Sequence, residues 1–187
     1  MAERFRNRYR VGSTRLLGFD YSRKGMYFVT ICTRKKIPFF GDISDNKMNL
    51  SDVGIIVNDY WLEIQSQFLE TIIDEFIIMP DHIHGIIMIN PIMKGNPDPL
   101  QIETPILGDS KGAKSGNTYW KAHSLGSIIN QFKRICTLKT REAGLDLVWQ
   151  PRYYDHIIRS INELENTRQY IRGNVKNWNS ENSLNFL

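Results

Sequence analysis

Two apolar runs, Ile72 to Ile78 and His82 to Ile89, are separated only by Met79-Pro80-Asp81, and that arrangement predicts a β-hairpin turning at the proline. Upstream, Tyr27 to Thr33 (YFVTICT) is aromatic and β-branched and predicts another strand. Between them the period changes. After Ser51, a helix-capping residue, Val53, Ile56, Val57, Trp61, Ile64 and Phe68 recur at helical spacing. A second helical stripe follows Ser124 through Leu125, Ile128, Ile129, Phe132, Ile135 and Cys136 and ends near Gly144. Leu147 to Gln150 and Tyr153 to Ile158 read as short strands on either side of Pro151. The last helix opens with Ser160-Ile161-Asn162-Glu163, a capping-box pattern, and its apolar face runs through Ile161, Leu164, Ile171, Val175 and Trp178.

Strand, helix, two strands, loop, helix, one or two strands, helix is an order that suits an α+β domain, a ferredoxin-like antiparallel sheet covered by helices on one face. The expected organisation is a basic N-terminal arm over 1–24 and one domain over 25–180. Proline, glycine and balanced charge mark a loop insertion at about 90–118. No internal repeat interrupts this plan.

Length and charge add limits. At 187 residues with 41% apolar content the chain can bury one sizeable core. No run approaches the ~20 apolar residues of a membrane helix, and Met1 to Arg10 lacks the apolar segment of a signal peptide, so a cytoplasmic protein without a membrane partner is expected. Cys32 and Cys136 form no CxxC pair and read as buried thiols. The net charge of +4 matters less than its distribution. Basic residues concentrate in 1–24 and again in 121–141, where Lys121, Lys133, Arg134, Lys139 and Arg141 meet no acid, and both clusters are candidates for neutralising phosphates.

Within the hairpin, MPDHIHGIIMI places His82 and His84 two apart on a strand, so both project from one face. Imidazoles are poor core residues because each ring nitrogen needs a partner once buried. Two side by side form half of a metal site. The remaining histidines, His123 and His156, are distant in sequence, so a zinc set is not suggested. Two imidazoles with one or two oxygens suit Mg²⁺ or Mn²⁺ with open positions. On the last helix Tyr170 and Asn174 are four apart and share a face, a phenol beside an amide carbonyl. Gly173 between them weakens the helix by about 1 kcal/mol relative to alanine.

HIH (82–84) preceded by MPD, with a C-terminal helix carrying Tyr170 and Asn174, resembles the single-tyrosine HUH transposases. The likeness is strongest to the REP-associated tyrosine transposases. LSDVG (50–54), GSIINQFK (126–133) and VWQPRYYDHIIRS (148–160) are each similar to a segment of that family, in the same order. The resemblance runs from about Gly25 to Trp178. It implies a ferredoxin-like fold with the histidine strand at the sheet centre, a divalent metal on His82, His84 and Asn174, and Tyr170 as the nucleophile that cuts single-stranded or hairpin DNA. Family members commonly have proline where this chain has Val175, and Gly173 is also a departure.

An ordinary phenol, with a pKa near ~10, is a weak nucleophile at neutral pH, so the implied chemistry leans on a divalent cation at the scissile phosphate. The product would be a 5′-phosphotyrosine and a free 3′-hydroxyl, with no need for ATP and no phosphate-cradling glycine motif. Lys133, Arg134, Arg152 and Arg159 are candidate DNA contacts, and Tyr119, Trp120, Tyr153 or Tyr154 candidate base-stacking groups. His156 is a candidate neighbour of the site. Tyr153 and Tyr154 rank below Tyr170 as nucleophiles because a strand position offers no adjacent amide ligand. Two other functions fit the same residues: a transposase-derived binder of structured single-stranded nucleic acid that does not cut, and a metal-dependent nuclease in which water attacks. Either a monomer or a homodimer exchanging the tyrosine helix, with Gly173 as hinge, is compatible with the sequence.

Overall fold

A computed structural model describes residues 19–90 and 124–183 together with Arg4, Phe5, Arg8 and Tyr9. Most of the basic arm and the whole of 91–123, which holds nearly all of the expected insertion, lie outside the described residues. The elements are β1 (Arg4–Phe5), β2 (Arg8–Tyr9), β3 (Gly25–Cys32), β4 (Gly41–Ser44), β5 (Lys47–Leu50), α1 (Asp52–Leu62), α2 (Ile64–Gln67), β6 (Thr71–Met79), β7 (His82–Ile89), α3 (Leu125–Glu142), β8 (Tyr154–Ile158) and α4 (Ile161–Ser183). Among the described residues no helix is long and apolar enough to cross a membrane.

The main sheet has the order β6-β7-β3-β8, with every neighbouring pair antiparallel. Together with the chain order β3-α1-β6-β7-α3-β8 this is the expected ferredoxin-like α+β arrangement, with β3 and β7 central. Met79 pairs with His82, so Pro80 and Asp81 alone make the turn between β6 and β7.

Alternation along the central strands sorts their side chains to two faces. Tyr27, Val29 and Ile31 of β3 and Ile83, Ile87 and Ile89 of β7 meet Val57 and Trp61 of α1 and Leu125, Ile128, Ile129 and Phe132 of α3. The Trp61 and Phe132 rings meet edge to face at 5.1 Å. Gly85 makes room for them, since a Cβ there would run into the Trp61 indole. The other face carries Met26, Ile86 and Met88, covered by Leu164 and Ile171 of α4. One-face cover is therefore correct for α1 and α3, and α4 adds a layer on the opposite side. The reason is that the other alternation phase of β3 and β7 is apolar too and has to be buried.

Local structure differs in three places, and one cysteine differs in burial. The first helix stops at Leu62 and a separate turn of helix, α2, follows. Residues 147–150 form no strand, only a bridge between Trp149 and Thr33. The β4–β5 hairpin, turning at Asp45-Asn46, was not expected. Cys136 is buried as read, whereas Cys32 is only half-buried.

A candidate metal and nucleophile site

The site lies on the α4 face, at the end of β7 where that strand leaves the Pro80-Asp81 turn. Thr33 fastens this corner, because its N–H and its hydroxyl both donate to the Asp81 carbonyl, at 2.8 and 3.0 Å. The Asp81 carboxylate in turn accepts from His82 Nδ1 at 2.5 Å. A proton on His82 Nδ1, facing that carboxylate, would leave the Nε2 lone pair free, the arrangement of carboxylate-oriented histidine ligands. His84 Nε2 lies 3.0 Å from His82 Nε2, and His84 Nδ1 lies 2.9 Å from the Thr30 hydroxyl. A hydroxyl can serve either tautomer of that ring. Burial, and then the neighbouring His82, lower the His84 pKa to about 3, so the ring is neutral at ordinary pH. Phe28 stacks on it at 5.4 Å.

Helix α4 crosses this pair. The Tyr170 hydroxyl lies 3.4 Å from His84 Nε2, with the tyrosine ring edge-on to His84 and to Phe28. Tyr170 as a whole is 48% exposed. Asn174 is buried, and its Nδ2 donates to the Tyr170 carbonyl at 3.0 Å, leaving Oδ1 for a ligand. One turn further, the Trp178 ring lies 5.9 Å from His82. Residues 170, 174 and 178 thus form one stripe above the histidines, as i, i+4 spacing requires. The helix is unbroken through Gly173 and Val175, and a Cβ on Gly173 would make only an ordinary contact with the Asn177 side chain.

Three features hold α4 in place. Leu164 and Ile171 bury their side chains against the sheet. At its start the Ser160 hydroxyl caps the Glu163 N–H at 3.1 Å, while the Glu163 carboxylate accepts from the Arg159 N–H at 2.7 Å and from His156 at 2.6 Å. The Arg159 N–H first, and His156 second, lower the Glu163 pKa. The third feature is a β-bulge in β6. Ile73 pairs with Ile87 and Phe76 with Gly85, so Asp74 and Glu75 together face one residue of β7. From the bulge Asp74 takes Arg168 through both carboxylate oxygens, with the shortest contact 2.7 Å, and Glu75 takes Arg172 at 2.6 Å. The two arginines lie one turn apart on either side of Tyr170. Their bonds stabilise the helix position more than exposed pairs would, because the Arg168–Asp74 pair is forked and partly buried.

The donor set fits a divalent cation. The two Nε2 atoms lie 3.0 Å apart, and the amide oxygen of Asn174, on the same helix stripe as Tyr170 and Trp178, would be the harder ligand that Mg²⁺ and Mn²⁺ prefer. Among the described residues no group of three or more His, Cys, Asp or Glu side chains is placed to hold a metal ion, so a site on the histidine pair would draw on an oxygen donor such as Asn174.

No model of a known protein family matches the chain. An uncharacterized protein of Haemophilus influenzae is 37% identical over 171 residues, spanning 90% of each chain. The chain belongs to the same family as that protein. Among solved structures, a REP-associated tyrosine transposase bound to a REP hairpin superposes with a TM-score of 0.50 at 18% identity, over 82% of this chain and 68% of that one. A candidate transposase of Deinococcus radiodurans gives a TM-score of 0.46 at 14% identity, over 81% and 91% of the two chains. The first likeness shows that the fold is shared with a tyrosine transposase.

The remaining sequence candidates are distributed unevenly. Lys133 is occupied inside the fold: its ammonium donates to the Gln150 and Arg152 carbonyls at 2.9 and 2.6 Å and lies over the Trp149 ring. Burial pulls its pKa down to about 8. It shapes the 150–152 loop, and Arg152 protrudes from that loop with a φ of 68°. Arg134 and Arg159 are exposed on α3 and just after β8. His156 lies on the site's face of the sheet but is engaged with Glu163. Tyr153 packs into the α1/α3 core. Tyr154 sits in the same row as His84, since Thr30 is the ladder partner of both, and it is 47% exposed. Tyr119 and Trp120 lie outside the described residues. Sequence reasoning missed the roles of Asp81, Thr30, Phe28 and the Asp74-Glu75 bulge. Only Asp81 had a signal, its place directly before the histidine pair.

Proposed function

We propose that this chain is a single-stranded DNA transposase and endonuclease that cuts and rejoins DNA through a 5′-phosphotyrosine on Tyr170. The observation that carries this reading is the approach of the Tyr170 hydroxyl to 3.4 Å from His84 Nε2, itself 3.0 Å from His82 Nε2, all within one chain. A phenol is not needed there for packing, because it is half exposed. The histidine pair would otherwise be a costly choice on a buried strand.

His82, His84 and Asn174 would hold the cation, Mg²⁺ or Mn²⁺, which supplies Lewis acidity toward a phosphate oxygen when bound. Asp81 and Thr30 orient the two imidazoles. Tyr170 Oη attacks phosphorus in line; the Tyr170 O–P bond forms, the P–O3′ bond breaks, the phenol gives up its proton and the departing 3′-oxygen takes one up. The phosphodiester energy is conserved in the new bond, so a second 3′-hydroxyl can reverse the step and join a different strand. Exposed Arg134, Arg152 and Arg159 would neutralise backbone phosphates, and Tyr154 and Trp178 offer ring faces for unpaired bases. Hairpin DNA is the proposed substrate, supported by the REP hairpin in the structure that shares the fold.

The test is incubation with a 5′-labelled and a 3′-labelled single-stranded hairpin and Mn²⁺, followed by a denaturing gel. The 3′-labelled strand should become protein-linked, and Tyr170→Phe should abolish that species. Free fragments that persist in Tyr170→Phe would instead mean that water is the nucleophile. Intact DNA that is only bound would mean a non-cutting binder.

A further inference from the structure

Among the described residues, five that are not glycine adopt a left-handed backbone: Lys35, Lys36, Asp45, Asn46 and Arg152. Asp45-Asn46 is explained by the two-residue β4–β5 hairpin, whose turn wants positive φ and these residue types. The other three are long basic side chains, which gain nothing locally from this conformation. They share one neighbourhood. Lys35 and Lys36, with φ of 57° and 53°, stand in the Arg34–Lys36 turn that directly follows β3. Cys32, at the end of β3, is the ladder partner of His82. The Arg34 N–H donates to the Val148 carbonyl and the Gln150 N–H to the Cys32 carbonyl, so the turn and the 148–152 loop lie side by side at this end of the sheet.

Both segments are braced from inside. Thr33, buried beneath the turn, donates its hydroxyl to the Ile37 carbonyl at 2.7 Å as well as to Asp81, the residue that orients His82. Lys133 clamps the Gln150 and Arg152 carbonyls from the other side. Arg34, Lys35 and Lys36 are all exposed, and none of their side chains makes an ion pair among the described residues. Strained backbone that the surroundings enforce, at Lys35 and Lys36 whose charges meet no ion-pair partner among the described residues, is a pattern of ligand sites.

We propose that the Arg34-Lys35-Lys36 turn, with Arg152 beside it, is a phosphate-binding rim that holds the backbone of a single-stranded nucleic acid next to the histidine pair. The inference rests on the DNA-processing reading above and extends it to residues outside the metal and tyrosine set. Two residues of strand cover about 6.6 Å, so the turn begins within about one nucleotide's reach of His82. Its shared anchor on Asp81 fixes the rim to the site, so the contacts set where the strand lies relative to Tyr170.

The experiment measures fluorescence anisotropy of a labelled single-stranded hairpin with unpaired flanks, titrated without divalent cation at several salt concentrations. Lys35→Gly/Lys36→Gly removes both charges and also the left-handed strain, so its melting midpoint should not fall below that of the unaltered chain. Binding should weaken about tenfold at low salt, and the slope of log affinity against log salt should shrink by about 1.4, the value for two phosphate contacts on a single strand. Lys47→Gln, on the β4–β5 hairpin, should change both quantities much less per charge removed. Unchanged affinity and slope in the double variant, or an equal loss per charge in Lys47→Gln, would overturn the rim while leaving the DNA-processing reading intact. An unaltered chain that binds no single strand overturns both.

Discussion

The two faces of one sheet are built by different rules. Toward α1 and α3, Ile31, Ile83, Ile87, Trp61, Leu125 and Phe132 are each no more than 2% exposed and form a continuous apolar layer. Toward α4 the apolar patch of Met26, Ile86, Ile158, Leu164 and Ile171 ends one ladder row short of His84. Beyond it lie imidazoles, a buried amide and two half-exposed tyrosines. The first face supplies stability; the second holds polar groups that packing alone would not select. The same β7 serves both, which is why HIHGIIMI alternates chemistry only in its first half and is apolar on both sides in its second.

The largest expected effect breaks the sealed face. Trp61 is fully buried between Gly85, Phe76 and Phe132. Trp61→Ala should cost about 3–5 kcal/mol of unfolding free energy by urea denaturation, the range for deleting a large buried aromatic. A loss under about 1 kcal/mol would mean that this face is not the stability centre.

How far this contrast can be read from sequence depends on the kind of signal. Periods of two and 3.6 carry β3, α1, β6, β7, α3, β8 and α4, because each buries a long apolar stripe. The β4–β5 hairpin escaped because GDIS and KMNL are short, and each offers only two half-buried positions. The second covered face escaped because the run Ile86-Ile87-Met88-Ile89 satisfies both phases of alternation at once. At the site, spacing puts His82 beside His84 and Tyr170 beside Asn174, but only the family resemblance brought the two pairs together. The Asp74-Glu75 bulge does not, since a register shift is decided by what the neighbouring strand and helix require. Lys133 reads as a free surface cation on a helix, because nothing local reveals that the 150–152 loop returns to it.

A smaller effect, on the polar face, comes from acid. The folded chain holds His84 down to about 3, whereas an unfolded histidine titrates near ~6.5. Between these values the unfolded chain binds a proton that the folded chain refuses. Stability is therefore unaffected by this group above about pH 6.5 and declines as pH falls below it, by up to about 1.4 kcal/mol per pH unit. Urea midpoints measured from pH 7 to pH 4 should fall accordingly, and His84→Asn should flatten that slope. An equally steep acid limb in His84→Asn would assign the loss to carboxylates elsewhere.

The smallest expected stability change belongs to the residue on which the proposed chemistry depends most. Tyr170 is half exposed, and its hydroxyl meets His84 at 3.4 Å, too long for a strong hydrogen bond. Its ring still covers Phe28 and His84, and phenylalanine keeps that cover. Tyr170→Phe should therefore shift unfolding free energy by no more than about 0.5 kcal/mol while removing all covalent linkage to DNA. A loss of 2 kcal/mol or more would make the hydroxyl a structural group and weaken the contrast between the faces. A hydroxyl that adds little to the fold needs another reason to be there, and its place beside two neighbouring imidazoles supplies one.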